Sequence, residues 1–196
     1  MLLRALLLIT TLSLAAGAAA RPNPTLLVRS PSVSENHLAF VYAGDVWVAR
    51  RDGGDARRLT VHEGLEARPA ISPDGRYVAF TGHYDGNEDV YVVPLKGGQP
   101  TRLTYHPASD QVRGWTPDGA VLFRSTRASH TTRQGQLFRV AVDGGLPEQL
   151  PVPNAEHASM NADGNRVAYT PMRDAFGTWK GYRGGRTPPV WILDLT

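Results

Sequence analysis

The chain has 196 residues, 41% of them hydrophobic, with 20 Gly, 15 Pro, no Cys and a formal net charge of +3. That apolar content can bury a core and excludes a disordered chain, and the lack of Cys excludes both a disulfide scaffold and a lipid-anchored Cys. The modest charge argues against a nucleic-acid binder.

Residues 1–20 read as a secretory signal peptide. Met1 to Arg4 gives a short positive start, Ala5 to Ala16 an apolar stretch, and Ala18-Ala19-Ala20 the small residues that signal peptidase requires. The stretch is short and wrongly flanked for a membrane span, an N-terminal anchor helix being the alternative. Export without disulfides predicts a periplasmic or secreted protein with no membrane span after cleavage.

From residue 21 to 196 the chain repeats itself. Ser72-Pro73-Asp74-Gly75-Arg76-Tyr77-Val78-Ala79-Phe80 returns from Thr116 to Phe123 and from Asn161 to Tyr169, and a degraded copy runs from Ser34 to Phe40. The closing aromatics, Phe40, Phe80, Phe123 and Tyr169, are 40, 43 and 46 residues apart. Strands and tight turns at that period predict an all-β chain of β-propeller blades, at about 25–64, 65–108, 109–155 and 156–196. A Pro-Asp-Gly turn in the second and third blades, Ala162-Asp163-Gly164 in the fourth and the degraded Glu35-Asn36-His37 in the first precede an apolar second strand. A third strand follows: Asp45 to Ala49, Asp89 to Val93, Gln136 to Val140 and Pro189 to Leu193. A Gly-Gly turn (Asp52 to Gly54, Lys96 to Gly98, Asp143 to Gly145) then leads to a fourth strand around Leu59, Leu103 and Gln149. Asp-Gly at such a turn predicts positive φ at both central positions. The fourth blade stops after its third strand. Four to eight blades normally close a ring, so the N-terminal piece of a longer protein is expected. A four-bladed ring closed by a strand around Thr25 to Arg29 is the alternative.

Binding is expected on the rim formed by the connections between second and third strands, because long loops on a rigid scaffold carry function. These connections are Ala43-Gly44, His83 to Glu88, Ser125 to Gly135 and Thr170 to Pro188, and the last two have a net charge of +5 together. Arg127, Arg133, Arg183 and Arg186 could bind carboxylates, a peptide C-terminus among them. A solvated basic face with its aromatics packed on neighbouring blades fits the same residues.

The sequence contains no Gly-x-Ser-x-Gly elbow, no zinc spacing among its six His, no P-loop and no dinucleotide fingerprint. No catalytic residue, metal or cofactor is therefore expected. His62, His106 and His157 fall in blade-to-blade connections, where hydrogen bonding within the blade explains them. Asp85 to Asp89 has calcium-type oxygens but reads better as a hairpin loop.

The Ser-Pro-Asp-Gly repeat is shared by TolB-like propellers and by propellers of prolyl-oligopeptidase-type enzymes. Two segments narrow the choice, Leu103 to Ser125 and Trp179-Lys180-Gly181-Tyr182-Arg183-Gly184-Gly185 running to Ile192. Both resemble the tricorn protease family. The resemblance implies the first, six-bladed propeller of a large homo-oligomeric serine peptidase that admits peptides or unfolded segments. The nucleophile would lie in later domains. It also implies a basic pair for a substrate's terminal carboxylate, which best matches Thr132-Arg133, where only Arg133 is basic. A TolB-like periplasmic propeller for protein–protein interaction is the alternative.

Overall fold

Each repeat begins on a turn that its own first residue caps. Ser72 Oγ accepts the backbone N–H groups of Arg76 (3.1 Å) and Tyr77 (2.9 Å), and Thr116 Oγ1 accepts that of Ala120 (2.9 Å). Asn161 Oδ1 accepts from Arg166 (2.9 Å), and even the degraded copy keeps the bond, from His37 to Ser34 Oγ (3.1 Å). The glycine that ends each full motif has positive φ: 69° at Gly75, 85° at Gly119 and 73° at Gly164. A side chain there would be strained, which explains why the motif keeps its Gly.

The computed structural model describes residues 27–131, 134–172 and 188–196. Its strands form four antiparallel sheets, each made of neighbours in sequence. Blade 1 is β1 (Arg29–Val33), β2 (His37–Tyr42), β3 (Asp45–Arg50) and β4 (Arg57–Arg58). Blade 2 is β5 (Leu65–Ile71), β6 (Tyr77–Tyr84), β7 (Asn87–Pro94) and β8 (Thr101–Arg102). Blade 3 is β9 (Asp110–Trp115), β10 (Val121–Ser125), β11 (Gln136–Val140) and β12 (Glu148–Gln149). Blade 4 is β13 (His157–Met160), β14 (Arg166–Thr170) and β15 (Trp191–Asp194). The first strands β1, β5, β9 and β13 pack against one another in turn, whereas each short fourth strand packs on its own third strand. The sheets therefore fan outward from a common inner wall, as propeller blades do. No helix among the described residues is long and apolar enough to cross a membrane.

The blades stack in one sense. Blades 2 and 3 turn the closing aromatic and the aromatic opposite it toward the preceding blade: Phe80 with Tyr91, and Phe123 with Phe138, both stacked at 5.6 Å. They meet small aliphatics. Ala39, Val46 and Val48 of blade 1 receive Phe80 and Tyr91, and Ala79, Val90 and Val92 of blade 2 receive Phe123 and Phe138. Leu122 and Leu137 receive Tyr169 of blade 4. A fully buried aromatic contributes roughly 1.5–3 kcal/mol by burial alone, so these seams hold the stack.

Three local expectations need correction. At the turn between third and fourth strands, positive φ falls on both glycines (Gly53 98°, Gly54 83°; Gly97 100°, Gly98 144°), not on the residue before them. The N–H of the first glycine closes a turn onto the carbonyl three residues back, as in Gly53 to Arg50 (3.1 Å) and Gly97 to Pro94 (2.8 Å). The preceding position therefore needs no special conformation, and Lys96 serves as well as Asp52. Two-residue hairpins with positive φ at both central positions stand instead between second and third strands, at Ala43-Gly44 (54° and 95°) and Asp85-Gly86 (53° and 82°). Strands β6 and β7 run up to the latter, so the connection from His83 to Glu88 is far tighter than expected. Finally, His62 and His106 each accept a backbone N–H from two residues on (2.9 Å from Gly64, 3.0 Å from Ala108), whereas His157 is the first residue of β13 and not part of the connection before it.

Candidate functional site

The hairpins β2–β3 and β6–β7 are tight, so the rim rises at the connection between β10 and β11, residues 126–135. Both ends of that connection are fastened. At its start, the Arg127 guanidinium pairs with the fully buried Asp110 (2.5 Å) and lies over the rings of Phe123 (5.3 Å) and Phe138 (5.2 Å). Its backbone N–H donates to Ser125 Oγ (3.1 Å). Arg127 thus braces the loop from below, with only 15% of its side chain exposed. At the other end, the Gly135 carbonyl accepts the Ala155 N–H (2.7 Å), and the Arg124 side chain fills the space a Cβ on Gly135 would need. Thr132, Arg133, Arg183 and Arg186 lie outside the described residues.

The inner wall carries a second polar layer that sequence reasoning missed. Glu66, Asp110 and Glu156 stand at the top of the first strands of blades 2, 3 and 4, spaced 44 and 46 residues apart. The signal was legible as an acid recurring with the period of the aromatics. Each acid does a different job. Glu66 is buried and accepts the Val46 N–H of blade 1 (2.8 Å), together with the Thr60 hydroxyl and the Tyr84 phenol. Burial raises its pKa, against the pull of those hydrogen bonds. Burial and the Glu66 carboxylate push the Tyr84 phenol far up in turn. Asp110 receives Arg127. Glu156 pairs with Arg113 (3.3 Å) and Arg124 (3.2 Å), both guanidiniums only 4% exposed. Burial, with Arg68 and Arg124 nearby, lowers the Arg113 pKa to about 10.

Blades 1 and 2 add a clasp at the top of the third strand. Asp45 accepts from Arg58 (2.8 Å) and Asp89 from Arg102 (2.7 Å). The same arginines donate to the Thr60 and Thr104 carbonyls (3.0 and 2.8 Å), and those threonine hydroxyls receive the Val46 and Val90 N–H groups (3.0 Å each). A cavity of about 240 Å³ opens between the inner strands β1 and β5, with Arg29, Glu66, His83 and Glu88 in its wall. Beside it, Ser109 and Gln111 (2.7 Å) donate to Glu88. Burial works against that carboxylate, but these bonds and the charges of Arg68 and His83 outweigh it and hold its pKa below the ordinary value. Among the described residues no group of three or more His, Asp or Glu could hold a metal ion. The chemistry this arrangement offers is charge-assisted recognition of anions by Arg.

Comparison with known proteins places the fold. Residues 25–196 match the family described as the tricorn protease N-terminal beta propeller domain. The chain is 35% identical over 173 residues to tricorn protease homolog 1 of Streptomyces coelicolor, covering 88% of this chain and 16% of that protein. The crystal structure of the tricorn protease superposes with a TM-score of 0.69 at 26% identity, over 85% of this chain and 17% of that one. The TolB structure from Acinetobacter baumannii superposes with a TM-score of 0.65 at 23% identity, over 86% of this chain and 41% of that one, a likeness of fold. The chain spans about one sixth of the tricorn homologue's length. With the repeat, the radial sheets and a match over residues 25–196 in agreement, the chain belongs to the tricorn protease N-terminal β-propeller family.

Proposed function

We propose that this propeller segment binds peptides and controls their access to an exported, oligomeric serine peptidase, taking no part in bond cleavage itself. The observation that carries the reading is the 126–135 connection: a long rim loop braced at both ends, by Arg127 on Asp110 and by Gly135 on Ala155. Such bracing costs nothing when a ligand arrives, because the loop's ends are already ordered. Arg133 sits within this loop and is the residue assigned to a substrate's terminal carboxylate, with Thr132 beside it. Arg183 and Arg186 of the following connection would extend the basic rim. Export rests on the leader-like residues 1–20, and other domains of the same protein would supply the nucleophile.

The test compares peptides of one sequence with free and amidated C-termini in the intact protein. Arg133→Ala should lower kcat/KM for the free acid roughly tenfold or more, the size of a lost charge-assisted hydrogen bond, and change the amide much less. An equal loss on both would sink the carboxylate role. A second reading, a TolB-like platform for protein contacts, is favoured by Val61 and Tyr105, which stand 77% and 72% exposed at equivalent blade connections. Binding of a folded partner that Tyr105→Ala abolishes, without any effect of Arg133→Ala on peptides, would select it.

A further inference from the structure

The seam between blades 1 and 2 and the seam between blades 2 and 3 share an aromatic interior but differ at their turn ends. In the first, Arg57 of β4 reaches across, and its guanidinium donates to the carbonyl of the buried Leu95, just past β7. The same guanidinium stands 3.6 Å from the place a Cβ on Gly97 would take. This seam is closed by an arginine of its own chain. Strand register fixes what the second seam has there. Arg57 pairs with Val48 and Thr101 with the corresponding Val92, so Thr101 holds the place of Arg57. Gly97 closes its turn on Pro94 and Gly144 on Ala141, which puts Val142 in the place of Leu95 and Asp143 in that of Lys96. Thr101 is too short to cross the seam, and the charge beside the carbonyl has changed sign.

The place is open. A cavity of about 460 Å³ runs along this end of the second seam, with Thr101, Val142 and Asp143 in its wall and Tyr77, Pro94 and Trp115 beside them. A second, of about 490 Å³, shares Asp118, Val142 and Asp143 with it and continues past Arg139 and Glu148. Acids outnumber bases in this groove: Asp74, Asp118, Asp143 and Glu148 stand with Arg76 and Arg139. Arg139 is shared between Asp118 (2.8 Å) and Glu148 (2.9 Å), and Arg76 lies 3.9 Å from Asp74. Asp143 has no ion pair among the described residues. The Arg76 guanidinium lies over the Tyr77 ring at 5.5 Å, so the aromatic wall already accepts this group. The groove lies at the opposite end of the strands from the 126–135 connection.

We infer that this groove docks an arginine side chain of an extended partner segment, in the position that Arg57 takes in the seam before. The guest guanidinium donates to the Val142 carbonyl and pairs with Asp143, and its stem lies along Tyr77 and Trp115. A guanidinium suits the place better than an ammonium, because its planar fork serves a carbonyl and a carboxylate at once. The first seam is closed to such a guest, since Arg57 fills it and Lys96 repels a second cation. The site uses neither the rim loop nor Arg133, so it stands apart from the peptide-access reading.

Three acetylated and amidated peptides of one apolar sequence, with Arg, Lys or the neutral isostere citrulline at the centre, are titrated into the intact protein. The Arg peptide should bind roughly tenfold or more tightly than the citrulline peptide, with the Lys peptide between them. Thr101→Arg supplies from within the side chain that the first seam uses, and it should remove the preference for Arg. Asp143→Lys, which copies the charge of Lys96, should do the same. Thr101→Ala and Arg133→Ala should leave the preference in place. Thr101 and Asp143 are both exposed, so these variants disturb no buried contact. Equal binding of the Arg and citrulline peptides, or a Lys peptide that matches the Arg one, would overturn the site. So would a preference that survives either Thr101→Arg or Asp143→Lys, or one that disappears with Arg133→Ala.

Discussion

Blades 1 and 2 and blade 3 solve one problem in two ways. The first pair locks third and fourth strands with an Asp–Arg–Thr clasp: Asp45, Arg58 and Thr60, then Asp89, Arg102 and Thr104. Blade 3 has Gln136, Gln149 and Pro151 at the corresponding positions and cannot form it. Its buried ion pairs lie on the inner side, where Asp110 holds Arg127 and Glu156 holds Arg113 and Arg124. The difference shows that the repeat constrains the strands strictly and their fastening loosely. The long 126–135 loop grows from the blade whose base is secured at the wall, by Arg127 on Asp110.

The largest effect should come from breaking a buried clasp. Asp89→Ala leaves Arg102 and the Thr104 hydroxyl facing an empty site and should cost about 3 kcal/mol in chemical denaturation, the size expected when a buried ion pair loses one partner. Gln136→Ala, at the equivalent place in blade 3, should cost well under half as much. Equal costs would show that the clasp is decorative.

A smaller effect should appear with pH. The folded Glu66 carboxyl keeps its proton to a higher pH than in the unfolded chain, where the ordinary value is about 4.5. Between those two values the folded state binds more protons, so stability falls as pH rises through the window and stays lower above it. Glu66→Gln should flatten that fall and leave the two proteins closest at acid pH. A wild type that instead gains stability on the Glu66 account as pH rises would reverse the sign assigned here. The smallest effect belongs to the exposed pairs of Arg139 with Asp118 (2.8 Å) and Glu148 (2.9 Å). Arg139→Ala should change stability by no more than about 0.5–1 kcal/mol, less at high salt, because solvent screens such pairs.

Much of the fold was legible because blade-building signals are local. Ser72-Pro73-Asp74-Gly75 sets a turn, and an apolar run ending in Phe80 fills a seam on both faces. The structure places the closing aromatics opposite Trp47, Tyr91, Phe138 and Trp191, one pair to each blade. The connection from His83 to Glu88 was misjudged because polar residues at a hairpin's tip look like loop whether or not they pair. The site was less legible. Arg127 looks in sequence like a basic rim residue, yet its guanidinium is committed to Asp110, seventeen positions earlier, and to two rings. No spacing rule marks which Arg of a basic stretch turns inward. The inner-wall acids were visible as a period, but Glu66 reaches back to Val46 and Thr60 of blade 1 and Glu156 to Arg113 and Arg124 of blade 3, and sequence does not display such contacts.

The aromatic-backward, aliphatic-forward packing gives blades 2 and 3 a polarity like that of a tile with a tongue on one edge and a groove on the other. Any unit can follow any other provided its orientation is kept. Duplication or deletion of one whole unit would therefore preserve every seam. A cut through the middle of a unit would split a tongue from its own sheet. Lineages of such proteins can be expected to differ by entire repeats, with their individuality written in the connections and in the polar fastenings.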